Sequence, residues 1–160
     1  MELIDARDLD PADIAAYDRE ESKPFQGMSL KDCKLDAITK ANDTLPLKDV
    51  LKNDILYVRY SQYACGDCIN FLNSAIKEYG ISNPTSKIRF LIKDIEMRDL
   101  HVFDIKMDKR FEIFKVDSLP TDFDEAHTPY VFKLDRNMRV FDYYIPRKEL
   151  PDSLQTYLYK

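Results

Sequence analysis

A chain of 160 residues is long enough for one domain with a proper core. Its 24 basic and 29 acidic residues leave a net charge of -5 and form no basic block, which argues against a nucleic-acid surface. Three glycines are too few for a Rossmann fingerprint or a P-loop, and no apolar run approaches the roughly 18 residues of a membrane span. Asp10-Pro11-Ala12-Asp13 reads as a helix start. Asp10 caps, Pro11 suits the first helical position and Asp13 lies in the first turn. Ile14 and Tyr17 then face inward, and the helix ends before Pro24. Residues 24–46 are mixed, with 28–38 open to a strand pair or a short helix. Asn42-Asp43 followed by Pro46 marks a loop, and 47–51 read as one helical turn.

Residues 55–60 are a strand by their β-branched and aromatic content. From Cys68 the period changes. Ile69, Leu72, Ile76 and Tyr79 fall at spacings of three and four and make one apolar helix face. Asn70, Asn73, Lys77 and Glu78 lie away from it. Gly80 reads as the C-cap, and Pro84 blocks continuation. Residues 87–93 are a second apolar strand centred on Ile88, Phe90, Leu91 and Ile92. A crossover helix follows over 95–107, carrying Ile95, Leu100, Val102, Phe103 and Met107. Residues 111–116 read as a short strand. The stretch 117–128 holds Pro120 and four acidic residues and reads as loop. Strands over 130–134 and 138–144 flank Asp135-Arg136-Asn137 and form a hairpin. The tail from Lys148 fits a last helix with Leu150, Leu154 and Leu158 on one side and Pro151 near its start. This order predicts an α/β fold: a mixed central sheet, helices on both faces, and a C-terminal hairpin plus helix. No repeat or linker divides the chain. The expected organisation is a single domain over residues 1–160, with 1–46 an extension packed on it.

The cysteines are Cys33, Cys65 and Cys68. An odd three is too few for a disulfide scaffold, which a chain this long does not need. Cys33 reads as a small buried hydrophobe, with a resolving or regulatory thiol as the other reading. Cys65-Gly66-Asp67-Cys68 falls where the strand over 55–60 gives way to the helix. Two thiols at i and i+3 across a first helical turn can close a disulfide with little backbone movement. Unpaired N–H groups and the positive dipole end favour a thiolate there. Asp67 works against this, because a nearby carboxylate raises the cost of the thiolate. Cys65 is then the exposed, attacking thiol, and Cys68, one turn in, resolves the mixed disulfide. The same spacing makes half a zinc site, but the other Cys and His residues, Cys33, His101 and His127, are all distant in sequence. A structural disulfide or inert thiols are the remaining alternative.

Leu56-Tyr57-Val58-Arg59-Tyr60-Ser61 precedes the cysteines, and Thr128-Pro129-Tyr130-Val131-Phe132-Lys133-Leu134-Asp135 stands near the end. With the motif between them, the chain resembles the thioredoxin-fold superfamily. Its layout is closest to the TlpA-type thiol–disulfide oxidoreductases of bacteria, over about residues 47–160. The resemblance implies a thioredoxin-like fold with Cys65 as nucleophile and Cys68 as its partner, and neither cofactor nor metal. Its reactants are protein or peptide thiols and disulfides and a redox partner protein. It also implies that Pro129 is cis and faces the disulfide and that the backbone at Thr128 pairs with bound peptide. Ala64, Gly66 and Asp67 complete the substrate-binding surface. An X–Pro bond is where a cis form costs little. A strand-start proline is the plain alternative.

Two positions depart from the family. Ala64 stands where Trp is usual, with Tyr63 nearby. Arg59 stands where thioredoxins proper carry a buried acid that helps move the proton of the buried cysteine, which puts ordinary thioredoxin activity in question. Arg59 either points to solvent or pairs with a carboxylate. His127, just before Thr128, is a candidate for tuning the thiols. His101 reads as solvent-facing or helix packing. A peroxiredoxin needs Thr three residues before its reactive cysteine, and position 62 is Gln. A non-catalytic thioredoxin-like binding or accessory domain would show buried cysteines and an exposed apolar patch elsewhere. Met1-Glu2-Leu3-Ile4-Asp5 lacks the charged and apolar regions of a signal peptide. The family favours the periplasm or cell envelope, which requires a removed signal peptide; Met1 as the native start places the chain in the cytoplasm.

Overall fold

Seven strands and three α-helices follow one another in the computed structural model, which describes residues 27–31, 33–119, 124 and 126–159. The helix expected to start at Asp10 lies outside the described residues. The segment left open between a strand pair and a helix contributes β1 (Asp36–Ile38), which pairs antiparallel with β2 (Thr44–Pro46). The chain reverses between them at Asn42, in the left-handed region that Asn tolerates (φ 64°). A 3₁₀ turn, Leu47–Asp49, stands where one helical turn is expected. There follow β3 (Leu56–Ser61), α1 (Gly66–Ser82), β4 (Ile88–Lys93), α2 (Met97–Lys106) and β5 (Glu112–Val116). The hairpin β6 (Tyr130–Leu134) and β7 (Val140–Tyr144), then α3 (Pro151–Leu158), complete the order.

The strands form one mixed sheet in the order β2-β1-β5-β4-β3-β6-β7. β3, β4 and β5 are parallel neighbours, and β1 and β6 pair antiparallel on either side of them. The two crossovers step the same way across the sheet, so right-handedness puts α1 and α2 on one face. That face buries Val58, Tyr60, Phe90 and Ile92 against Leu72 and Ile76 of α1, Leu100 of α2 and Leu154 of α3. The other face buries Tyr57, Leu91, Phe114 and Phe132 against Leu30, Leu47, Val50 and Leu51. Helical cover differs between the faces: three α-helices pack on one, while the Leu47–Asp49 turn and the helical Asp124 lie on the other. β3 lies between covered faces and is buried at all six positions, as a central strand carrying a near-continuous apolar run should be. No helix among the described residues is long and apolar enough to cross a membrane.

Two expectations for α1 fail. Asn73, placed on the solvent side by periodicity, is buried, and its amide donates to the Tyr60 hydroxyl at 3.1 Å. Gly80 does not cap the helix. The helix continues to Ser82, Asn83 is the extended C-cap, and the Asn83 amide donates to the Tyr79 carbonyl at 2.9 Å. Gly80 is needed for close approach instead. A Cβ there would lie 2.8 Å from Phe111 Cζ and 3.2 Å from Thr85 Cγ2.

Gly80→Ala sets two effects against each other. Alanine gains about 1 kcal/mol of helix propensity, while overpacking costs about 1–3 kcal/mol. Phe111 is buried and its ring is held edge-on to Phe90, 5.5 Å between centroids, so it cannot swing aside freely. We expect a net loss of about 1 kcal/mol in urea unfolding. In a Phe111→Leu background the same change should become neutral or stabilising.

Candidate active site

The turn between β3 and α1 is built from the end of β3. The Ser61 hydroxyl donates to Asp94 Oδ2 (2.9 Å) and accepts the Tyr63 N–H (3.1 Å). The Gln62 N–H reaches the Lys93 carbonyl and the Ala64 N–H reaches that of Ser61, both at 3.0 Å. These bonds anchor residues 61–64 to the end of β4 and deliver Cys65 to the N-cap position of α1. Its Sγ accepts the Cys68 backbone N–H at 3.4 Å, so the thiol sits where Ser or Asp caps other helices. Cys65 is exposed, Cys68 is half-buried, and both are free thiols.

The two sulfurs differ electrostatically. The Cys65 thiol is held below its ordinary range, first by the Cys68 S–H, then by the Cys68 N–H. The Asp67 N–H and the Lys148 ammonium act in the same direction. Cys68 is pushed up to about 11, first by burial and then by the hydrogen bond and charge of Cys65. The hydrogen bond from Cys68 thus favours the anion on Cys65 over that on Cys68. Lys148 escaped the sequence reading. It lies between β7 and α3, with Nζ 3.8 Å from Asp67 Oδ2. Nothing in its local sequence marks it, because only the docking of α3 against α1 brings that loop to the motif.

The second expected half of the site arrives through β6. Arg59 pairs with Tyr130 across the β3–β6 ladder. Thr128 and Pro129 stand just before Tyr130, at the end of the ladder where β3 runs on to Ser61. The His127 ring meets Tyr63 edge-on, 6.0 Å between centroids. The two distant stretches thus meet at the carboxyl end of β3. The cis expectation fails: no peptide bond among the described residues is cis, so Thr128–Pro129 is trans. The chain turns one residue earlier. His127 adopts the left-handed region (φ 53°), and its N–H bonds to the Asp124 carbonyl at 3.2 Å. Pro129 then immediately precedes β6, where a missing N–H is tolerated.

No family model matches the chain, and no curated protein matches it in sequence. Solved structures match it in shape. A secreted Mycobacterium tuberculosis disulfide oxidoreductase homologous to E. coli DsbE superposes with a TM-score of 0.53 at 11% identity, covering 78% of this chain and 94% of its own. A thioredoxin-like protein from Porphyromonas gingivalis gives 0.52 at 14% identity, covering 82% and 91%. A thiol peroxidase from Chromobacterium violaceum gives 0.50 at 10% identity, covering 77% and 80%. The chain has a thioredoxin fold. Identities this low carry the fold alone, and the chemistry has to be argued from the site.

Within this thioredoxin fold, Arg59 resolves to the carboxylate alternative. It is fully buried, on the face of β3 away from α1, and its guanidinium grips Asp124 with two bonds. Nη2 to Oδ2 is 2.6 Å and Nε to Oδ1 is 3.1 Å. Nη1 also donates to the Val116 carbonyl (2.7 Å) and Nη2 to that of Asp117 (2.6 Å). Asp124 further accepts the Leu119 N–H (2.6 Å) and the Tyr130 hydroxyl (3.0 Å). Cys33 is half-buried against the apolar cluster of that same face, close to its packing expectation, and burial raises its thiol. His101 is in hydrogen-bonding range of the Lys40 carbonyl at 2.8 Å. Among the described residues no three His, Cys, Asp or Glu side chains group as a metal site requires.

Arg59→Met leaves the Asp124 carboxylate buried without its cation and should cost about 3–5 kcal/mol in urea unfolding. Adding Asp124→Leu should restore a large part of that loss, because an unpaired charge is worse than none. For the thiols, iodoacetamide labelling followed by mass should show Cys65 reacting at a pH below the ordinary thiol range. Cys68 should stay unlabelled until the pH nears 11.

Proposed function

We propose that the protein is a thiol–disulfide oxidoreductase working through a Cys65/Cys68 dithiol–disulfide couple on protein or peptide substrates. The observation that carries this reading is the asymmetry of the pair: an exposed Cys65 at the N-cap of α1, accepting the Cys68 N–H at 3.4 Å, with Cys68 half-buried one turn in. The Cys65 thiolate attacks a substrate disulfide. One substrate sulfur becomes bonded to Cys65, and the other leaves as a thiolate. Cys68 loses its proton to that thiolate or to water and attacks Cys65 Sγ, releasing the second substrate thiol. The substrate gains two electrons, and the protein loses them as its two thiols become a Cys65–Cys68 disulfide. A partner dithiol reverses the sequence.

Thr128, Pro129, Ala64, Gly66 and Asp67 are the substrate-facing surface in this proposal. Pro129 offers a ring with no N–H just before β6, and Gly66 is exposed with no neighbour within 4 Å of a Cβ. The exposure of Cys65 speaks against the accessory-domain reading, which needs buried cysteines. Gln62 speaks against the peroxidase reading.

Equilibration in graded dithiothreitol buffers, with thiol trapping and mass measurement, should reveal one two-electron couple confined to Cys65 and Cys68. Cys68→Ser should trap a mixed disulfide at Cys65 with a disulfide-bonded peptide, and Cys65→Ser should trap none. A pair that stays unreactive across the whole buffer range would falsify the proposal.

A further inference from the structure

We infer that Lys148 is a positioning residue for the dithiol: tethered by Asp67, its ammonium holds positive charge beside the motif and favours the reactive form of Cys65. The inference rests on the dithiol reading above. Its starting point is a conflict inside the motif. Asp67 places a carboxylate two residues from the sulfur that must become an anion, which disfavours the thiolate. The fold answers this from outside the motif. Lys148 reaches over from the loop before α3 and comes within 3.8 Å of the Asp67 carboxylate.

Charged groups reach the dithiol from several elements. Asp67 and Cys68 face Cys65 from α1, Lys148 and Glu149 belong to the loop before α3, and His127 lies across Tyr63. Lys148 acts favourably on both sulfurs, and Glu149 acts unfavourably on Cys68. The Asp67 side chain is 83% exposed and that of Lys148 44% exposed. The pair therefore contributes little to stability. Its effect falls on the dithiol beside it. A compact ammonium on a flexible stem acts as a point charge and needs no fixed hydrogen-bond geometry. Arginine should replace it, and glutamine should not. Stabilising the thiolate stabilises the reduced state, so Lys148 makes the couple more oxidising.

The test uses the full chain and three readouts: the pH profile of Cys65 alkylation, the dithiothreitol midpoint and the urea midpoint. Lys148→Gln should move the alkylation profile to higher pH, slow labelling at neutral pH about threefold and make the couple more reducing. The urea midpoint should barely move. Lys148→Arg should restore the profile. Added salt near 1 M, where the screening length is about 3 Å, should abolish the difference between wild type and Lys148→Gln. In an Asp67→Asn background Lys148→Gln should have a smaller effect, because the tether is gone. An unchanged profile and midpoint in Lys148→Gln would overturn the inference, and an undiminished effect in the Asp67→Asn background would overturn the tether. Both outcomes are distinct from failure of the dithiol reading, in which wild type itself shows no couple.

Discussion

Arg59 and Asp124 form the one ion pair with both side chains buried among the described residues, and the neighbourhood of the site depends on it. Taking both charges from water is expensive, and a pair of this kind often does no better than well-packed apolar side chains. What it supplies here is position. Arg59 draws in the carbonyls of Val116 and Asp117, while Asp124 collects the Leu119 N–H and the Tyr130 hydroxyl. The end of β5 and the start of β6 are thereby tied to one residue in the middle of β3. Two residues further along β3, Ser61 begins the turn that delivers Cys65. The dithiol and the Thr128–Pro129 stretch thus share an anchor, although about 60 residues separate them along the chain.

This anchor has a chemical consequence. Arg59 lies on the face of β3 away from α1, and its charge is committed to Asp124. The Cys65–Cys68 pair is left with local influences: the sulfur–sulfur hydrogen bond, two N–H groups of the first helical turn, and the Asp67–Lys148 pair at the surface. These act unequally on the two sulfurs because one is exposed and the other half-buried. The proposed division into attacker and resolver rests on that asymmetry.

Individual residues show how much was legible beforehand. Leu72 and Ile76 announced the buried face of α1 by spacing alone, since a helix repeats every 3.6 residues whatever it packs against. Asn73 broke that pattern because Tyr60 offers it a partner inside the core, which periodicity cannot register. Gly80 looked like a helix stop, yet the ring of Phe111 is the reason it is glycine. Pro129 was recognisable as a landmark, but its peptide bond is trans, and the left-handed turn falls at His127.

By itself the sequence determined what depends on neighbours within a few residues: the strand–motif–helix unit, the crossover elements, the terminal hairpin and the position of both cysteines. Those signals are local because helix and strand periods, caps and turn residues are local physics. The tertiary structure decided whatever joins distant segments: the carboxylate for Arg59, the meeting of His127 with Tyr63, and the side chain beside Asp67. Such pairings depend on sheet order and register. These follow from burying both faces of the sheet at once, a condition no short stretch of sequence carries. The motif is therefore readable as a pair of thiols, while its electrostatic setting belongs to the fold.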